Sequence, residues 1–214
     1  MRDSMRSADA ATLFRVLLAV VVVYLVLGRF SPYIIFMIIL SERVVDGLDG
    51  YLARRQASRG RLGFAMYLKG VMGNAEAKKG IAKCNAALRK IAPHGSRLDV
   101  AGDRSVEYIF WALFSYLGLV PLFVFIIVIV RHSFVDALMG SKGTSSKMKS
   151  RFANSIYASN YSRLLINVPK VLAFGYLPFV YIYGWPLYIG YLLVGILVAG
   201  ILIRGAAEAY ESLI

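Results

Sequence analysis

Residues 108–130 read YIFWALFSYLGLVPLFVFIIVIV, an apolar run marked near its middle by Gly118 and Pro121. One bilayer crossing takes about 20 apolar residues, so this run with its flanks is too long for a single span. Gly and Pro together signal a tight turn, and the stretch predicts two helices, about Asp99–Leu119 and Pro121–Ala137. Toward the N-terminus, Phe14–Gly28 is a further span, interrupted by Arg15. Tyr33 opens another whose strongly apolar part ends at Leu40, and its helical pattern continues through Val44, Val45, Leu48 and Leu52. Toward the C-terminus follow Tyr161–Tyr183, carrying Pro169 and Pro178, and Trp185–Ile203. The expected fold is an all-α integral membrane protein with six transmembrane helices.

Composition agrees. Of 214 residues, 58% are apolar and 17% charged, against about 45–50% and about 25% in soluble domains. The mean hydropathy is +0.63. An ordinary soluble domain and a disordered chain are both excluded. A single cysteine, Cys84, excludes a disulfide scaffold and multi-cysteine metal sites. The two histidines, His94 and His132, are too far apart in sequence to suggest a histidine-rich metal centre. A net charge of +13 suits nucleic acid or anionic lipid, and the hydropathy selects the lipid bilayer over nucleic acid.

The basic residues orient the chain. Eleven Lys and Arg run from Arg54 to Arg97 inclusive, and five more from Arg131, near the end of the fourth helix, to Arg151 before the fifth. Arg2 and Arg6 precede the first helix, Arg204 ends the sixth, and the other three connections hold only Arg29. Every second connection is basic, which predicts cytoplasmic termini and an enlarged basic cytoplasmic loop between helices 2 and 3.

Against that background four of the twelve acidic residues stand out: Asp46, Asp49, Asp99 and Asp103. The spacings i, i+3 and i, i+4 put each pair on one helix face. Both pairs sit at the cytoplasmic ends of consecutive helices and can meet at one depth. Carboxylates in a membrane protein are costly unless paired or coordinated. Salt bridging is one answer, Asp46 with Arg43 and Asp103 with Arg97 or Arg104. A hard divalent cation with oxygen ligands, Mg²⁺, Mn²⁺ or Ca²⁺, is the other. Gly47 and Gly50 in a helix weaken it and suit close approach of a ligand or a neighbouring helix.

The stretches DGLDGYLARR, with Asp46, Asp49, Gly50, Ala53 and Arg54, and GSRLDVAGDR, with Gly95, Asp99 and Asp103, resemble the two halves of the CDP-alcohol phosphotransferase signature. TLFRVLLA, with Thr12 and Arg15, is similar to that family's first-helix opening. The family has eight residues between the signature's Arg and Gly, whereas here Arg55 to His94 intervene. Gly63 stands at the usual spacing, but Tyr67 and Val71 then occupy the aspartate positions. Residues 55–94 therefore read as an insertion in a single domain, 1–214. Within it Asn74–Ala92 is expected to form a short amphipathic helix, either an interfacial decoration or an element over the site.

The resemblance implies a magnesium- or manganese-dependent transferase of phospholipid biosynthesis. It would move a phosphatidyl-type group from a CDP-linked lipid to an alcohol, with release of CMP. Asp46, Asp49, Asp99 and Asp103 would bind metal, two ions in the family pattern, and Asp103 would serve as the general base. Gly50, Ala53, Arg54 and Gly95 would meet the nucleotide and diphosphate, and a homodimer is implied. For the acceptor, Arg131, Lys147 and Lys149 suggest a phosphorylated alcohol, first glycerol 3-phosphate, with inositol phosphate or serine as alternatives. His132, at the end of helix 4, reads as a headgroup-facing residue. From a different class, an Asp-lined cation transporter calls for acidic residues along several helices, and these gather at one depth.

Overall fold

The computed structural model describes residues 7–213 apart from 59, 61, 73, 92–94 and 141–159. All the regular structure in this range is helical: α1 (Ser7–Leu27), α2 (Pro32–Ala57), α3 (Phe64–Val71), α4 (Ala75–Ile91), α5 (Gly95–Tyr116), α6 (Leu122–Gly140), α7 (Asn160–Tyr183) and α8 (Leu187–Leu213). The six long helices expected from hydropathy are all present as helices. α2 starts at Pro32, where a missing N–H costs nothing, and continues unbroken through the polar stretch to Ala57. The connection between α5 and α6 is the tight turn foreseen, with Gly118 at φ 70°, a conformation that suits glycine.

The enlarged loop is a pair of helices. α4 begins where Asn74 accepts the backbone N–H groups of Glu76 and Ala77 through its side-chain oxygen, at 3.1 and 3.0 Å, an N-cap interaction. Its extent is close to the segment anticipated. α3, by contrast, stands where the sequence suggested only loop.

Among the described residues three helical segments are long and apolar enough to cross a membrane: Ala10–Leu27, Ile166–Tyr183 and Leu187–Glu211. α2 and α5 carry charged halves, Glu42 to Arg55 and Arg97 to Glu107, which dilute their hydropathy. Burial on α1 inverts the pattern of a soluble protein. Thr12, Arg15, Ala19, Val22 and Val26 form its buried stripe, while Leu13, Phe14, Leu17 and Tyr24 are exposed. A helix that hides Arg and Thr and presents Leu and Phe outward is built for lipid. The chain is an integral membrane protein.

Two compact units can be distinguished. One comprises Met1–Val22 with Leu40–Glu107, the other Val23–Ile39 with Tyr108–Ile214. In the first, Gly102 of α5 is buried against Thr12 of α1, and a Cβ at position 102 would overlap the Thr12 Cγ2 methyl. Gly102→Val is expected to cost about 1–3 kcal/mol through overpacking, read as a lowered thermal midpoint in detergent. An unchanged midpoint would mean that the two helices are not in close contact there. In the second unit, the Phe174 ring centroid lies 5.2 Å from Phe110, 5.1 Å from Trp111 and 6.1 Å from Phe114. Tyr33 meets Phe179 edge-on, and Phe179 stacks on Trp185.

Candidate active site

The site lies within the first unit and is built on α1, α2 and α5. Asp46 is on α2, and Asp99 and Asp103 are one turn apart on α5. One carboxylate oxygen from each lies within 4.8 Å of the others. Between them reaches the guanidinium of Arg15. Its Nη1 is 2.5 Å from Asp46 Oδ1 and 3.8 Å from Asp99 Oδ1, its Nη2 donates to Asp103 Oδ1, and its Nε donates to Glu42 Oε1 at 3.1 Å. Glu42 also accepts from Arg43, at 2.5 and 2.8 Å. Arg43 Nη1 stands 3.8 Å from Asp46 Oδ2.

The arrangement has a floor and a mouth. The side chains of Arg15 and Glu42 are 1% and 2% exposed, whereas those of Asp46, Asp103 and Asp99 are 26%, 37% and 53% exposed. Desolvation therefore falls on the Arg15–Glu42 pair, where mutual attraction offsets it, and the aspartates remain accessible. Among these six groups four carboxylates face two guanidiniums, an excess of two negative charges. The donors are hard oxygens from three carboxylates on two helices, and each carboxylate has two oxygens, so Arg15 need not exhaust it. Such a set suits Mg²⁺ or Mn²⁺.

Asp49 and Gly50 lie on α2 and Gly95 opens α5, but the side chain of Asp49 lies outside the described residues. Ala53 and Arg54 are half-buried on the last turns of α2. Arg54 Nε donates to Asn85 Oδ1 of α4 at 2.8 Å. Asp46 does approach Arg43, and Asp103 is held by Arg15, a partner the sequence did not suggest for it. Glu42 was not among the candidates either. The signal for both was available: a charge inside an apolar run needs a buried partner.

In the second unit Arg131 Nη2 is 2.8 Å from Glu208, which also accepts from Arg204 Nε at 3.1 Å. The absent side chain of Gly205 makes room for Arg131. Lys147 and Lys149 lie outside the described residues. His132 is buried, 1% exposed, beside Arg131 Nη1 and the Tyr108 ring, and so is not a headgroup-facing residue. It shares the inward stripe of α6 with Val128 and Val135, at i, i+4 and i+7.

The family model described as CDP-alcohol phosphatidyltransferase matches residues 5–66. No curated protein and no solved structure matches the chain. The matched residues include Arg15, Glu42 and the signature's first half through Arg54, and stop before Gly95. Asp99 and Asp103 lie beyond the matched residues, and the fold brings them to Asp46.

Proposed function

We propose that this chain, whose residues 5–66 match the CDP-alcohol phosphatidyltransferase family model, is a member of that family, transfers a phosphatidyl group from a CDP-linked lipid to glycerol 3-phosphate and releases CMP. The observation that carries this reading is the convergence of Asp46, Asp99 and Asp103 on one accessible cluster with an excess of negative charge. In this reading all six long helices span the cell membrane as one domain, with both termini, the insertion at 55–94 and the site on the cytoplasmic side, and the chain forms a homodimer. That side suits the chemistry, because the nucleotide and the acceptor are water-soluble and the donor's tails are not.

Asp46, Asp49, Asp99 and Asp103 would hold divalent cations, Mg²⁺ or Mn²⁺ and two in number. Bound metal supplies neutralisation of the diphosphate and of the leaving CMP oxygen. Arg15, from the buried floor on α1, fixes the separation of the aspartates of α2 and α5. Arg54 binds diphosphate oxygens, and Gly50, Ala53 and Gly95 let the cytidine nucleotide approach the backbone. Asp103 takes the proton of the acceptor hydroxyl as its oxygen bonds to the lipid phosphorus, and the phosphorus–oxygen bond to CMP breaks. Lys147 and Lys149 favour a phosphorylated acceptor through their charge, whereas the charge of Arg131, the third cation expected to do so, is taken up by Glu208.

The test is CMP release by the purified protein with glycerol 3-phosphate, inositol phosphate, inositol and serine as acceptors. Release with glycerol 3-phosphate that stops on chelation and returns with Mg²⁺ or Mn²⁺ is expected. Release with another acceptor alone would correct the acceptor and keep the reaction. No release and no CDP binding would overturn the reading.

A further inference from the structure

The insertion at 55–94 is built against Arg54. α3 and α4 pack on each other, Gly70 lying against Ile81 and Ala77, and Gly80 against the Met66 methyl. The pair is joined to the end of α2 by aromatic contacts. Tyr51 meets Phe64 edge-on at 5.2 Å, stands 5.4 Å from Tyr67, and donates its hydroxyl to the Leu62 carbonyl at 3.4 Å. Onto this platform comes the guanidinium of Arg54. Its Nε donates to Asn85 Oδ1 at 2.8 Å, and its Cζ lies 5.6 Å from the centre of the Tyr67 ring. Arg54 follows Asp46 by two helical turns, about 12 Å of rise along α2, a span suited to a diphosphate and its nucleoside.

We infer that the α3–α4 hairpin belongs to the nucleotide site, with Asn85 and Tyr67 as positioning residues that fix the direction of the Arg54 guanidinium. The inference rests on the proposed function, in which Arg54 binds the diphosphate. A long arginine side chain loses rotamer freedom when it binds a phosphate, and a side chain already held loses less. Asn85 engages the Nε edge, and the Tyr67 ring supports the guanidinium through a cation–π contact. Together they limit the orientations from which the guanidinium, a planar fork, can meet phosphate oxygens.

The experiment is a set of full-length variants in lipid nanodiscs, each assayed for CMP release and for CDP binding by calorimetry. Asn85→Ala is expected to raise the KM for the CDP-linked lipid about tenfold and to weaken CDP binding equally, with kcat within about twofold. Asn85→Asp, which keeps an oxygen acceptor, is expected to restore most of the affinity. Tyr67→Phe, which keeps the ring, should match the wild type, and Tyr67→Leu should resemble Asn85→Ala. In an Arg54→Ala background Asn85→Ala should add nothing. A wild-type protein that binds CDP while Asn85→Ala leaves binding unchanged overturns the inference and keeps the proposed function. The same holds if Asn85→Ala is equally costly without Arg54, or if Tyr67→Phe behaves as Tyr67→Leu. A wild-type protein that binds no CDP overturns both.

Discussion

Asp103→Asn is expected to abolish CMP release, by about 10²–10⁴-fold, while affinity for the CDP-linked lipid falls far less. The amide keeps the shape of the carboxylate and an oxygen that can accept from Arg15 Nη2, so the floor of the site stays assembled. It cannot take a proton from the acceptor hydroxyl. It also contributes one negative charge less, and a metal ligand would lose affinity for the same reason. The two roles separate in a titration with Mn²⁺. Asp46→Asn, a substitution of a ligand alone, should recover part of its activity as Mn²⁺ is raised. Asp103→Asn should stay inactive at saturation. Recovery of Asp103→Asn by metal would make Asp103 a ligand only and send the search for the base elsewhere.

The different visibility of these residues in the sequence has a physical cause. Asp99 and Asp103 are one helical turn apart, so their shared face follows from local geometry alone. The long helices were legible for the same reason, since apolar runs and turn residues are local signals. Arg15 gives no such signal. Its partners Glu42 and Asp103 are 27 and 88 positions away, and nothing in the spacing indicates which of several acidic residues it will meet. What the sequence did show was an arginine in an apolar helix, which implies a buried acid without naming it. Glu42 could have been found by the complementary rule, because it continues the stripe of Ile35 and Ile39 on α2, both buried. α3 was hidden by its length: eight residues beside a basic segment read as loop, and it is packing on α4 and Tyr51 that sustains it. His132 was misplaced because the end of an apolar run suggested a headgroup, although its register with Val128 and Val135 points inward.

Arg15→Gln tests whether the cluster depends on an internal counter-ion. The guanidinium is buried and joins Glu42, Asp46, Asp99 and Asp103 across three helices. Glutamine leaves Glu42 on the floor with Arg43 alone among the two guanidiniums described there, and it leaves the three aspartates to repel one another. Removing one partner of a buried pair costs about 3–5 kcal/mol, so in chelator the thermal midpoint should fall on the order of 10 °C. The same substitution raises the negative charge excess of the six groups from two to three. Mg²⁺ or Mn²⁺ should therefore raise the midpoint of Arg15→Gln more than that of the wild type, because a cation bound to the folded state alone stabilises it more the tighter it binds. Arg15→Lys should fall between the two: it restores the charge but, as a compact ammonium, cannot span four carboxylates as a planar fork does. Differential scanning fluorimetry in detergent, with chelator and with each metal, distinguishes these outcomes without reference to turnover. Equal stability of Arg15→Gln and wild type in chelator would remove Arg15 from its place as the site's counter-ion. Equal stabilisation of both by metal would show instead that cations bind away from the aspartates that Arg15 holds.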